Sequence, residues 1–504
     1  MPEADGDWPL PDFDRHGRDV LDTIHDYFAG IRQTPVAGPH DRRQLVDRLL
    51  TGIPEHGQEF DGILADTRDK IIPELLHWNH PRFHGYFPTC ASLPGVLAET
   101  MTAALNVNAM LWRTSPAASA LETVVLRWLA ELCGYPPDAD GLLLAGASPA
   151  TLYALAAARE ESYAAAGHDV RTHGLNAPGL PVGRVYTSDQ AHSSVDKAAL
   201  TLGIGLANVV RVPSDAHYRM RPEALEEALT RDIAAGARPL AVVATVGTTS
   251  TGAADPLRAV AAVCRRHGVW LHVDAAYGGF YPLAPSLAGR LEDVAVGDSL
   301  VVNPQKTLFV PLDSTALYCR RPGALANTFR LVPEYLAPAH GLGPGEEGDF
   351  MDLSPQLGRG FRALKLWWVI RSFGRRGLAA RLEKAVRLAE DLRRRVREHP
   401  DWRCVADSVY PLLCLRYEPA PPGGAGGTAE DRARLDRLNA AVLEAVNASG
   451  EAFVSHSVIR EGYVIRVSIG NIRTTEEDVA ALWRLLTETG ERERGAMAPV
   501  VRAG

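Results

Sequence analysis

Short apolar runs alternate with helical runs through the middle of the chain, whereas the two ends have a different texture. Leu142–Ala145, GRVYTS, LAVVATVG, VWLHVD and Leu300–Asn303 are apolar, partly β-branched and only a few residues long, which predicts buried strands. Between them lie Ala-rich or amphipathic stretches long enough for helices. The resulting βαβα order predicts an α/β domain over 95–375, with a mostly parallel sheet covered by helices on both faces.

Before it, residues 1–94 show helical periodicity and little strand character. Val20, Ile24, Tyr27 and Phe28 share one helical face, Leu45, Val46, Leu49 and Leu50 another, and FDGILADTRDKIIPELLHW continues in the same style. Amphipathic helices without a sheet of their own need a surface to cover, so a second subunit is the expected partner. After it, Leu378, Leu382, Ala385, Ala389, Leu392 and Val396 form one stripe of a long helix with an arginine-rich outer face. WRCVAD, PLLCLRY, AFVSHSV and YVIRVSI then predict strands of a small α+β domain over 376–490, with a last helix opened by Thr474 or Thr475. PAPPGGAGG reads as a surface loop inside that domain, and 491–504 as a disordered tail.

At 504 residues the chain exceeds one core, in line with this division. No stretch is long and uncharged enough to span a membrane, and the acidic amino terminus lacks the apolar centre of a secretory signal. The formal charge of −8, with basic residues scattered, argues against nucleic acid as a partner. Six cysteines without metal or redox spacing predict free thiols in a reducing cytoplasm.

The chemistry centres on residues 269–307. One strand delivers Asp274 at its carboxyl end, and the next is followed by a turn bearing Lys306. In an open α/β sheet, neighbouring strand ends are where ligands bind. An amine able to form a Schiff base, beside a carboxylate able to pair with a protonated pyridine nitrogen, suits pyridoxal 5'-phosphate. Singly, each residue reads more simply as a surface-turn lysine or a helix-capping aspartate; the pairing outweighs that. In GLLLAGASPATLYALAAARE a small-residue turn opens a helix, so the backbone at Ala147 and Ser148 is a candidate phosphate donor. Plain capping by Ser148 fits the same pattern. His192, between a strand and a helix, gains weight only alongside these groups. VPEYLAPAHGLGPGEEGDFMDLSPQLGRG, rich in Gly and Pro and without period, predicts an active-site lid.

These residues carry a resemblance. YFPT (86–89), TSPAASALE (114–122), GASPATL, DQAHSSVDKA, GTTSTG, HVDAAYGG, NPQK, FRLVPEYL (329–336), QLGRGFRALKLWWVIRSFG and RVSIGNIRTTEEDV occur in order. They resemble the pyridoxal-phosphate-dependent group II decarboxylases, in the aromatic L-amino acid decarboxylase branch, over about residues 75–485. The resemblance implies a type I aminotransferase fold with a large seven-stranded, mostly parallel sheet, working as a homodimer with shared active sites. It implies Lys306 as Schiff-base lysine, Asp274 as pyridinium partner, His192 stacked on the cofactor ring and Ala276 against its other face. Ala147, Ser148 and Asn303 would hold the phosphate, with Gly358 contributed by the neighbouring subunit. Thr249 would lie near the cofactor and the substrate carboxylate. Trp78, Tyr86 and Pro88 match positions lining the substrate pocket, and Tyr335 matches the loop tyrosine that returns a proton to Cα, relayed through His192.

Three features depart from the family pattern. Gln305 stands where histidine is usual, Thr307 where tryptophan is common, and the pocket positions Asn108, Met110 and Leu312 replace one apolar and two aromatic residues. A softer cavity for an unusual substrate and mere packing swaps are equally compatible with these changes. The expected activity is decarboxylation of an aromatic or bulky hydrophobic L-amino acid to its amine, in specialised metabolism. Two alternatives are an oxygen-dependent aldehyde synthase, in whose relatives phenylalanine replaces the loop tyrosine, and a catalytically idle cofactor-binding scaffold.

Overall fold

The computed structural model describes residues 7–38, 41–50, 52–331, 349–406, 408–420 and 428–497. The chain forms two compact units, one of residues 1–86, 416–467 and 473–504, the other of 87–415 and 468–472.

The second unit is built on a seven-stranded sheet: β1 (Asp140–Leu144), β2 (Gly183–Ser188), β3 (Val209–Val212), β4 (Arg238–Thr245), β5 (Trp270–Asp274), β6 (Ser299–Val302) and β7 (Thr315–Cys319). Their order is β1-β7-β6-β5-β4-β2-β3. Strands β3, β2, β4, β5 and β6 are parallel, and β7 is antiparallel to both β6 and β1. Six strands therefore run one way, as the alternating pattern predicts, and their carboxyl ends gather at one edge. The register places Thr245 opposite Asp274 and Asp274 opposite Val301. Nearly every residue of β4 to β7 is buried, as expected when helices cover both faces.

A fully buried ion pair braces this unit. Arg359 donates to Glu122 at 2.5 Å, with both side chains 1% exposed, and also to the carbonyls of Leu143 and Ala109. Glu122 in turn accepts the Leu143 N–H at 2.8 Å, so the pair fixes β1 just ahead of the 146–148 turn. Removing one partner strands the other charge away from water. Glu122→Ala is expected to cost about 3–5 kcal/mol of stability, read by urea unfolding.

In the first unit, helices Leu10–Gly30, Arg42–Leu49 and Phe60–Asp66 occupy the predicted amino-terminal region, the last prolonged by irregular turns to Glu74. Arg32 holds Asp478 at 2.8 Å, joining this region to the final helix. That helix, Glu476–Met497, is opened by Thr475, whose hydroxyl accepts the Asp478 N–H while Asp478 accepts the Thr475 N–H. It runs past residue 491, where a disordered tail was expected. The Glu- and Arg-rich composition of GERER favours helix, and Thr489 and Gly490 are buried. A four-stranded sheet has the order β10-β11-β9-β8; β8 (Trp402–Ala406) and most of β9 (Leu412–Tyr417) are residues of the second unit, β10 (Ser455–Ile459) and nearly all of β11 (Gly462–Ser468) of the first. The predicted stripe at 378–396 lies on a helix spanning Ala363–Glu398, interrupted at Gly374, where φ is 62°.

Candidate active site

At the carboxyl edge of the large sheet lies a cavity of about 260 Å³. Its wall includes Ala147, Ser148, His192, Thr249, Asp274, Ala276, Asn303 and Lys306, so eight residues singled out in the sequence converge from five separate stretches. Lys306 sits on the one-turn helix Pro304–Thr307 that follows β6, and its Nζ lies 4.8 Å from the centre of the Phe87 ring. Asp274 ends β5 and accepts the Ala276 N–H at 3.1 Å, which orients one carboxylate oxygen.

The turn after β1 opens the 18-residue helix Ala147–Ala164, with Gly146 as its N-cap and no side-chain cap. Ser148 lies inside the first turn, so it does not cap the helix. The N–H groups of Ala147 and Ser148 belong to the first turn, which has no intrahelical acceptors, and they face the cavity as donors for an anion.

His192 follows β2. Its Nδ1 accepts the Ser194 N–H at 3.1 Å, so the neutral ring carries its proton on Nε2. Burial lowers its pKa first of all; the Asp274 charge opposes that shift, while Lys306 and Lys197 add to it. The imidazole is therefore biased toward its neutral form.

Pyridoxal phosphate needs an amine for its aldehyde, an acid for its ring nitrogen, a flat contact for its ring and donors for its phosphate. Lys306, Asp274, His192 with Ala276, and the Ala147–Ser148 turn fit those needs in one cavity.

Residues 39–418 match the family described as the pyridoxal-dependent decarboxylase conserved domain. The chain belongs to that family. It is 35% identical over 506 residues to an aromatic-L-amino-acid decarboxylase of Sus scrofa, covering 98% of this chain and 97% of the relative. It is 33% identical over 481 residues to a phenylacetaldehyde synthase of Arabidopsis thaliana, covering 94% of each. The crystal structure of Oryza sativa TDC with PLP and tryptamine superposes with a TM-score of 0.89 at 32% identity, covering 98% of this chain and 99% of that one. The protein is thus a pyridoxal-phosphate-dependent amino acid decarboxylase.

Several wall residues of this decarboxylase carried no role in the sequence reading. Phe87 stacks on Tyr277 with ring centres 3.9 Å apart, forming an aromatic floor near Lys306. Both lie within recognised motifs, YFPT and HVDAAYGG, which was the available signal. Gly247 is required by geometry: its φ is 89°, and a Cβ there would come within 2.9 Å of the Tyr277 ring.

Behind Asp274, His272 is fully buried, with Nδ1 2.8 Å from the Ser299 hydroxyl, which itself accepts the Trp270 indole N–H at 2.8 Å. The Ser299 hydroxyl thus links the Trp270 indole to the His272 ring, which it holds through Nδ1. Burial lowers the His272 pKa from 6.5 to about 4. The folded state thus binds this proton less readily than the unfolded chain. Full stability is present above pH 6.5 and is expected to fall by about 1.4 kcal/mol per pH unit below it, until the ring protonates. Denaturant titrations from pH 7.5 to 4.5 check this; the slope for His272→Phe should be shallower by one proton.

The remaining predicted residues lie elsewhere. Asn108 and Met110 do not line the cavity wall. Asn108 accepts the Arg359 N–H at 2.9 Å, its NH2 lies 3.5 Å from the Met110 sulfur, and Gly358 adjoins it. Leu312 is 59% exposed. Pro88 packs against Gly470. Trp78 and Tyr86 belong to the other compact unit, where their rings stack with centres 5.6 Å apart. Tyr335 and residues 332–348 of the expected lid fall outside the described residues.

Proposed function

We propose that this enzyme decarboxylates an aromatic or bulky hydrophobic L-amino acid to the corresponding amine and carbon dioxide. The observation that carries the reading is the convergence of Lys306, Asp274 and His192 with a helix amino terminus in one cavity. It is supported by the aromatic-L-amino-acid decarboxylase relative at 35% identity.

When bound, pyridoxal phosphate supplies an electron sink for the charge left at Cα as the carboxylate departs. Lys306 would hold the cofactor through its amine. Asp274 would pair with the ring nitrogen and favour its protonated form. His192, neutral and with its proton on Nε2, contributes a flat face and a donor to the same space. Ala147, Ser148 and Asn303 would hold the phosphate, Ala276 would pack beside the ring, and Thr249 would face the substrate carboxylate. Tyr335 returns a proton to Cα.

A second reading, the oxygen-dependent aldehyde synthase, is favoured by the phenylacetaldehyde synthase relative and by the neutral Gln305. Incubating the reconstituted enzyme with a panel of aromatic and bulky amino acids, with and without oxygen, separates the two. Equal amine and carbon dioxide without oxygen uptake support decarboxylation. Aldehyde with peroxide and ammonia overturns it for the second reading.

A homodimer with shared sites completes the proposal. Leu93, Leu97, Met101 and Leu105, four residues apart on helix Leu93–Leu105, are all exposed. The Asn108, Met110 and Gly358 patch, set apart from the cavity wall, supplies residues to the partner's site. Leu97→Glu with Met101→Glu is expected to halve the mass seen by sedimentation and abolish activity. Five of the six cysteines are buried, and none shows metal or redox spacing, which supports a reducing, cytoplasmic location. Among the described residues, no helix is long and apolar enough to cross a membrane.

A further inference from the structure

We propose that Gln305 presents a fixed, uncharged hydrogen-bond donor to an oxyanion in the cavity, either the cofactor phosphate or the substrate carboxylate. This rests on the reading of the cavity as a pyridoxal phosphate site.

Gln305 is 8% exposed and forms part of the cavity wall, one residue before Lys306. Its side-chain carbonyl accepts the Ser314 N–H at 2.5 Å, and its own N–H donates to the Ser314 carbonyl at 3.4 Å. A backbone N–H can only donate, so the amide cannot turn over: oxygen faces Ser314 and nitrogen faces away. That NH2 group meets no acceptor among the described residues, and it is not sealed from the cavity.

Its neighbour Asn303 is arranged alike. The Asn303 carbonyl accepts the Thr315 hydroxyl at 2.9 Å, and the residue lines the same wall. Ala147 and Ser148 bring backbone donors to the space. The donors around this wall are thus mostly neutral, and the Gln305 amide does not titrate between pH 5 and 9. An anion bound against it meets the same donor across that range, whereas an imidazole at this position would gain and lose charge.

Gln305→Glu tests the idea with little change of shape. The carboxylate retains an acceptor for the Ser314 N–H but replaces the donor with a negative oxygen. Cofactor dissociation constants are measured by fluorescence quenching of the apoenzyme, and KM and kcat on the saturated holoenzyme. If the oxyanion is the phosphate, the cofactor dissociation constant rises about tenfold or more with KM little changed. If it is the substrate carboxylate, KM rises by that factor and cofactor affinity holds. In both cases the defect shrinks as pH falls toward the carboxyl pKa, which a merely structural defect would not do. Gln305→Met, which removes the donor without adding charge, should move the same constant less, and it serves if the Glu variant fails to fold. Both constants unchanged within twofold in either folded variant would overturn the role of Gln305. A wild-type protein that binds no cofactor would instead overturn the reading of the cavity itself.

Discussion

Lys306→Ala is expected to lose decarboxylase activity by on the order of a thousandfold or more, while the fold survives. The side chain lies at the cavity wall rather than in the core, and its one-turn helix is fixed by other contacts. Pro304 and Thr307 are buried, the Lys306 N–H donates to the Asn303 carbonyl at 3.0 Å, and the Leu308 N–H donates to the Pro304 carbonyl at 2.7 Å. Alanine leaves those bonds in place. What disappears is the only lysine of the cavity wall among the described residues, and with it the proposed covalent hold on the cofactor aldehyde. Wild-type protein treated with pyridoxal phosphate and borohydride should yield a peptide with the cofactor fixed on residue 306; the variant should yield none. A variant retaining visible absorbance and a reducible linkage elsewhere would remove the central assignment.

Tyr335→Phe is the second large effect, and it concerns product rather than rate. The hydroxyl is the group assigned to return a proton to Cα after carbon dioxide leaves. Without it the carbanion persists long enough to meet oxygen, as in the related aldehyde synthases, where phenylalanine stands at this position. The expected result is a shift from amine to aldehyde as the major product, with oxygen consumed and peroxide and ammonia released. Oxygen-electrode traces with mass identification of products check it. Continued clean amine formation would mean that another acid reaches Cα, His192 Nε2 being the first candidate.

The two effects interrogate different parts of the reaction. In the proposed mechanism Lys306 bears on entry of the substrate amine, and Tyr335 on the fate of Cα. Gln305 lies between these questions, because it bears on how an anionic group is held while both occur.

Much of this site is legible in the chain itself, because strand ends are local features. An apolar run that stops at Asp274, another that stops before Asn303, and a small-residue turn at 146–148 mark where backbone leaves the sheet. Hydrophobic periodicity alone locates those exits. The motif order adds the chemistry of each exit. Periodicity does not say which exits are neighbours. β1 comes first in the sequence but pairs with β7, so the Ala147–Ser148 turn reaches the cavity through a strand order that no local pattern encodes.

The same limit explains the residues that sequence reading passed over. Phe87 and Tyr277 are nearly 200 positions apart, and only their stacking makes them a floor. Gln305 stood out as a departure from a pattern, but its meaning depends on Ser314 clamping the carbonyl and so aiming the amide. Asn108 and Met110 read as substrate-pocket residues; Asn108 accepts the N–H of Arg359, which is pinned to Glu122, and neither residue lines this cavity. Residue types and strand exits therefore specified which chemistry this protein has. The packing of distant segments, set by sheet order and by buried polar groups that must find partners, decided which atoms face one another.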